Sequence, residues 1–250
     1  MRLYEYGKEN EKIIVMIHGA CMSWDMFRAS MDILKKDYHV ILVAVPGHDL
    51  TTNEEFTSVE QISKRIENML IQKEYDNIEC LYGLSMGGGF AIRILADNRL
   101  HIKHAVIDAG ITPYEMPRIV TRVILVSDFL TVELGKHSRE LLGFAFPPKR
   151  YEPVIVDKMF QVMRHMSPIT IKRVFDSTDN YSMPRIFPHL ETKIYYWYGS
   201  DEKRARKLDI QYVKKHIPNV KFREIENMEH AQYVLMQPEK FAADLKHLLS

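Results

Sequence analysis

Glycine at positions 83 and 87 brackets a serine in the run Gly83-Leu84-Ser85-Met86-Gly87. The run joins a strand-length apolar segment, Ile78-Glu79-Cys80-Leu81-Tyr82, to a helical one, Gly88 to Ala96. A chain that turns this sharply from strand to helix forces the central residue into strained backbone angles and points its side chain outward. Strand and helix then approach too closely for side chains two positions either side, so glycine suits 83 and 87. The pattern G-x-S-x-G in this setting makes Ser85 a candidate nucleophile and requires a strand and a helix packed together around it.

The segments around this turn extend the same architecture. Ile13-Ile14-Val15-Met16-Ile17 is a continuous apolar run of strand length, as a central parallel strand should be. Tyr38 to Val45 is another, ended by Pro46-Gly47. Val59, Ile62, Ile66, Met69 and Leu70 share one face of a helix over 58–73, and His104 to Asp108 reads as a further strand. Alternating strands and helices argue for a mostly parallel central sheet with helices on both faces. Between about 111 and 190 the pattern changes to helices broken at Pro117, Pro147-Pro148, Pro153, Pro168 and Pro184, and alternation resumes with Lys193–Tyr198, Val220–Ile225 and a helix over about 238–249. The expected organisation is an α/β core from 1–110 and 191–250 with an inserted helical cap at 111–190.

Composition removes several classes of function. With 46% hydrophobic and 27% charged residues the chain has an ordinary globular balance, and a formal net charge of +1 implies no polyanionic partner. No uninterrupted apolar run spans a bilayer, and the first residues lack the apolar core of a secretion signal. Cys21 and Cys80 read as free thiols of a reducing compartment. The expectation is a cytoplasmic protein, monomer or homodimer, acting on a small molecule without nucleic acid or membrane partners.

A serine hydroxyl needs a base to take its proton, and the base needs an orienting acid. In G-x-S-x-G folds these follow in the order Ser, acid, His. His230 lies in a polar loop just after the last expected strand, where α/β sheets build their sites. The acid is open between Glu202 and Asp201, adjacent in Gly199-Ser200-Asp201-Glu202, with Asp108 as a third option. The oxyanion of a tetrahedral intermediate needs N–H donors; Met86, at the start of the helix after Ser85, and Ala20, in His18-Gly19-Ala20-Cys21, are the candidates. His18 reads as a structural tie for that loop, and Cys21 and Met22 as pocket lining.

Met159, Met163 and Met166 recur at helical spacing beside Phe160, and Phe129, Leu130, Phe144 and Phe146 add apolar bulk. Such a stripe packs a cap onto a core; it also makes an adaptable apolar wall for an acyl group, for which Phe129, Met159 and Met163 are the candidates. The basic run Lys203-Arg204-Ala205-Arg206-Lys207 reads as a solvated helix start.

Taken together, the strand before His18-Gly19, the Gly-Leu-Ser-Met-Gly-Gly turn, the Gly-Ser-Asp-Glu turn and a late histidine before a Pro-Glu-Lys-Phe helix resemble the α/β-hydrolase superfamily over nearly the whole chain. The His18 loop with Trp24 is similar to that of small esterases of the group. The resemblance implies a helical cap, no metal and no organic cofactor. It also implies Ser85 as nucleophile, His230 as base, Glu202 or Asp201 as acid, and Ala20 and Met86 as oxyanion donors. Dehalogenases and epoxide hydrolases of the superfamily place Asp where this chain has Ser85, which leaves cleavage of a carboxylic ester or thioester of a small to medium acyl substrate. Carbon–carbon hydrolysis or lyase chemistry on the same residues, or ligand binding without turnover, are the alternatives. The chain departs from the usual pattern at Pro46-Gly47-His48-Asp49-Leu50-Thr51, where such chains often read Pro-Gly-His-Gly-x-Ser, and at Met228, where glycine is common.

Overall fold

A computed structural model describes residues 1–250. Seven strands form one sheet: β1 (Arg2–Tyr6), β2 (Ile13–Ile17), β3 (His39–Ala44), β4 (Asn77–Leu84), β5 (His101–Asp108), β6 (Lys193–Gly199) and β7 (Lys221–Ile225). Their order is β1-β3-β2-β4-β5-β6-β7. Only β1 runs antiparallel, along the β3 edge. Every residue of β2 and β3 is buried, which explains why both read as unbroken apolar runs: helices cover both faces of the sheet. The strand order reverses between β2 and β4, with Ile17 beside Gly83 in register. The loops leaving these two strands therefore emerge side by side at the switch point, where open α/β sheets form their ligand crevice.

The helices of the core are α1 (Arg28–Leu34), preceded by one 3-10 turn (Trp24–Phe27), α2 (Val59–Gln72), α3 (Met86–Asp97), α8 (Lys207–His216), α9 (Gln232–Met236) and α10 (Pro238–Leu249). The sequence reading missed β1, α1 and α9, all short, and began α8 four residues early. Between β5 and β6 come α4 (Arg118–Gly135), α5 (Arg139–Ala145), α6 (Pro153–His165) and α7 (Pro168–Asn180). The prolines act mainly as helix starters here: Pro153 and Pro168 occupy the first turn, where no N–H is needed. The Ser167 hydroxyl accepts from the Thr170 N–H and caps α7, as Ser138 caps α5 through Leu141. No helix follows Pro184; residues 181–192 run irregularly back to β6. No helix is long and apolar enough to cross a membrane.

Candidate active site

Ser85 follows β4 directly and has φ 54° and ψ −116°, a left-handed conformation that costs a non-glycine residue about 1–3 kcal/mol. Hydrogen bonds hold it there. Its N–H donates to the Asp108 carbonyl at 2.8 Å, and its own carbonyl accepts from the N–H groups of Gly88, Gly89 and Ile111. The two bracketing glycines are sterically required: a Cβ on Gly83 would lie 2.2 Å from the Gly87 carbonyl oxygen, and one on Gly87 would lie 2.1 Å from that of Ile17.

The His18–Met22 loop comes from β2 and lies against this turn, so closely that a Cβ on Gly19 would be 3.2 Å from Ser85 Cβ. His18 ties the loop down. Its Nδ1 bonds the Gly19 carbonyl at 2.9 Å, and its Nε2 accepts from the Val45 N–H at 3.2 Å. Full burial lowers its pKa to about 4, so the ring is neutral at pH 7, with Nδ1 carrying the proton. His48, from the Pro46-Gly47-His48 turn, is also buried, its ring 5.4 Å from that of His18.

His230 follows β7, and its Nδ1 is 2.6 Å from Glu202 Oε2. The second Glu202 oxygen accepts from the Gly199 N–H at 3.1 Å. Burial alone would raise the Glu202 pKa, but His230, the Gly199 N–H and Arg206 together hold it below the usual carboxylate range. The carboxylate thus stays ionised, accepts the Nδ1 proton and leaves Nε2 as the basic nitrogen. The loops carrying acid and base are joined by their backbones. Ser200 N–H donates to the Ile225 carbonyl, Asp201 N–H to that of Met228, and Asn227 N–H to the Ser200 hydroxyl.

Asp201 points elsewhere: its carboxylate pairs with Arg150 Nη1 at 2.7 Å, so of the two adjacent acids only Glu202 meets the histidine. Asp108 is held by the Tyr82 hydroxyl at 2.6 Å, and burial raises its pKa to about 7.

Ser85 and His230 open into one cavity of about 510 Å3. Gly19, Ala20, Cys21 and Met22 line it from the β2 loop, and Met159 and Met163 from α6. Phe129 is not among its lining residues; its neighbours Asp128, Thr131 and Val132 on α4 are, because a helix turns adjacent side chains to different faces. Met86 is fully buried at the first position of α3 and has only its backbone to offer. Of the aromatic bulk, Phe146 lines the cavity, while Phe144 is 84% exposed. Asp128, Tyr151, Asp179 and Arg206 also line it, and the sequence reading named none of the first three. Arg206 is a correction: its side chain is only 17% exposed, turned inward at the N-terminus of α8, with Nη1 3.2 Å from Asp209 Oδ2.

The sequence pattern of the alpha/beta hydrolase family matches residues 14–244. The chain belongs to that family. Its fold is shared with an α/β-hydrolase family protein from Desulfitobacterium hafniense (TM-score 0.78, 18% identity, 100% of both chains). It is shared too with a carboxylesterase from the thaumarchaeon Nitrososphaera gargenis (0.76, 17%, 99% of this chain and 93% of that one). A third example is the enol-lactonase from Burkholderia xenovorans (0.77, 16%, 99% and 95%).

Proposed function

We propose that this α/β-hydrolase is a serine esterase that cleaves a carboxylic ester or thioester of a small to medium acyl chain. The observation that carries the reading is the strained Ser85 opening into the same cavity as His230, whose Nδ1 is engaged by the ionised Glu202. Holding a residue against its conformational preference is worthwhile where the side chain must be presented to a substrate. Ser85 Oγ attacks the substrate carbonyl while His230 Nε2 takes its proton. Glu202 stabilises the imidazolium so formed. The N–H groups of Ala20 and Met86 receive the developing oxyanion, the latter aided by the positive end of α3. His230 then passes the proton to the leaving alcohol or thiol, water attacks the acyl-enzyme with His230 as base, and the carboxylic acid departs. Residues 111–190 act as a cap whose α4–α7 side chains enclose the acyl chain. The carboxylesterase and the lactonase that share the fold act by name on carboxylic esters and on a lactone, consistent with the same bond here.

A fluorophosphonate probe should label the wild-type protein stoichiometrically and leave Ser85→Ala unlabelled. Labelling that persists in Ser85→Ala would overturn the assignment.

A further inference from the structure

The cavity above Ser85 is lined mainly by apolar side chains, yet three acidic or basic residues outside the Ser85–Glu202–His230 set reach it: Asp128 from α4, Asp179 from α7 and Arg206 at the start of α8. Their charges are not matched. Arg206 already lies between two acids, with Nη1 3.2 Å from Asp209 Oδ2 and Nε 3.8 Å from Glu202 Oε2, close enough for charge pairing although neither nitrogen makes a hydrogen bond. Asp209 is engaged through one oxygen, its Oδ1 accepting from both the Thr112 N–H and hydroxyl, while its Oδ2 faces Arg206 without a hydrogen bond. Asp128 and Asp179 form no ion pair. Asp179 is 3% exposed, and its Oδ2 is buried without any hydrogen-bond partner.

A buried carboxyl oxygen without a donor is costly, by more than most surface interactions return. Evolutionarily cheap replacements exist, since Asn or Leu would remove the charge. The orphaned oxygen is therefore best explained by a donor that the protein itself does not supply. An anionic substrate group is disfavoured by the same arrangement: it would meet Arg206 only in competition with Asp209 and Glu202, and would face Asp128 and Asp179. Burial, with repulsion from Asp128 and Asp209 and against the attraction of Arg206, pushes the Asp179 pKa up to about 7. A cation placed beside it would restore its ordinary ionisation.

From this geometry we propose that Asp179 and Asp128 form a specificity site that selects an amphipathic substrate carrying a protonated primary amine on an otherwise apolar chain. The proposal deepens the esterase reading and rests on it for the identity of the ligand as substrate. The apolar wall, including Val132, Leu142, Met159 and Met163, would take the chain, and the ammonium would pair with the carboxylates of Asp179 and Asp128. No step of the acyl transfer changes. The two aspartates bind and orient, and their effect falls on the choice among esters.

The test uses binding, so that it does not depend on turnover. Octylammonium and octanoate are titrated at pH 8 into the intact protein by calorimetry, with fluorophosphonate labelling of Ser85 followed in parallel. The amine should bind about tenfold or more tightly than the carboxylate of equal length, as expected of a hydrogen-bonded charge pair out of water. It should also slow labelling. Asp179→Asn should bring the two affinities near parity, and Asp128→Asn, tested independently, should narrow the gap. Asp176→Asn, an exposed change on the same helix, should leave the preference intact. Octanoate binding as tightly as the amine, binding of neither, or a preference that survives both cavity variants would overturn the proposal. Labelling of Ser85 without an amine preference would sink this inference alone; an amine preference in a protein that the probe never labels would sink the esterase reading alone.

Discussion

Glu202 and Asp201 are neighbours with the same charge, yet the turn after β6 sends them to opposite surroundings. The Asp201 N–H is tied to the Met228 carbonyl, and its side chain projects outward to Arg150. Glu202, one residue on, turns inward and reaches His230 and the Gly199 N–H. Removing the Glu202 charge should therefore cost catalysis, whereas removing that of Asp201 should not. Glu202→Gln is expected to lower kcat by about 10^3–10^4-fold on a p-nitrophenyl ester, while Asp201→Asn stays within about twofold, since exposed ion pairs contribute little. A reversed order in the steady-state rates would reassign the acid. Gly87 makes a second prediction at this scale. A methyl group there collides with the Ile17 carbonyl, so Gly87→Ala should destabilise by about 1–3 kcal/mol, read as a lower midpoint in urea.

Among the elements, α7 has the most to do. It packs beside α4, carries Asp179 near its C-terminus, and begins at the Ser167-Pro168 pair, where proline fits the first turn and the serine hydroxyl accepts from Thr170. Ser167 also donates to Glu55 at 2.7 Å, which ties the helix to the segment after β3. Loss of the cap leaves an N–H without a partner. Ser167→Ala should lower stability by about 1 kcal/mol, a fall in melting temperature of a few degrees, and speed amide exchange in the first turn of α7 before that of α3. Equal exchange in the two helices would show that the cap is not what holds α7. The strands and helices flanking Ser85 were legible because each keeps one period over many residues. β2 and β3 are buried on both faces and so are continuous apolar runs, and α2 shows its apolar stripe. β1, with a mixed and half-exposed pattern at the sheet edge, and α9, a single turn, have no such signal.

At the scale of the whole molecule, the cavity draws on the β2 loop, the β4 turn, α4 to α7, the start of α8 and the β7 loop. Groups distant in sequence thereby come to share one low-dielectric space, and one consequence is a dependence of stability on pH. Asp128 from α4, Asp209 and Arg206 from α8, and Asp176 from its own helix all act on Asp179, and its folded-state pKa of about 7 exceeds that of an unfolded aspartate. Below about pH 4 the group is protonated in both states and has no effect. As pH rises from about 4 to 7, the unfolded chain loses the proton first, so stability falls; above 7 the penalty is constant. Asp179→Asn should accordingly be more stable than wild type by about 1–3 kcal/mol at pH 8 and no different near pH 4, measured by urea unfolding across pH. A gain that does not shrink on acidification would argue against a buried ionised carboxylate. A residue that weakens the fold yet lines the cavity is expected where binding has been favoured over stability.

The strand-to-helix turn that carries Ser85 and the outline of the sheet were legible in local sequence, because a tight turn of this kind admits few residues and buried strands require unbroken apolar runs. The resemblance to the α/β-hydrolases rested on the same local patterns, and the family match over residues 14–244 agrees with it. Three things were left to the tertiary structure. The acid partner depended on which way one turn directs two adjacent carboxylates. The pocket wall depended on helix phase, which turned Phe129 aside while bringing Asp128 in. The inward course of Arg206 depended on a partner, Asp209, whose burial no charge pattern announces, since a basic run looks the same whether its members face water or a cavity.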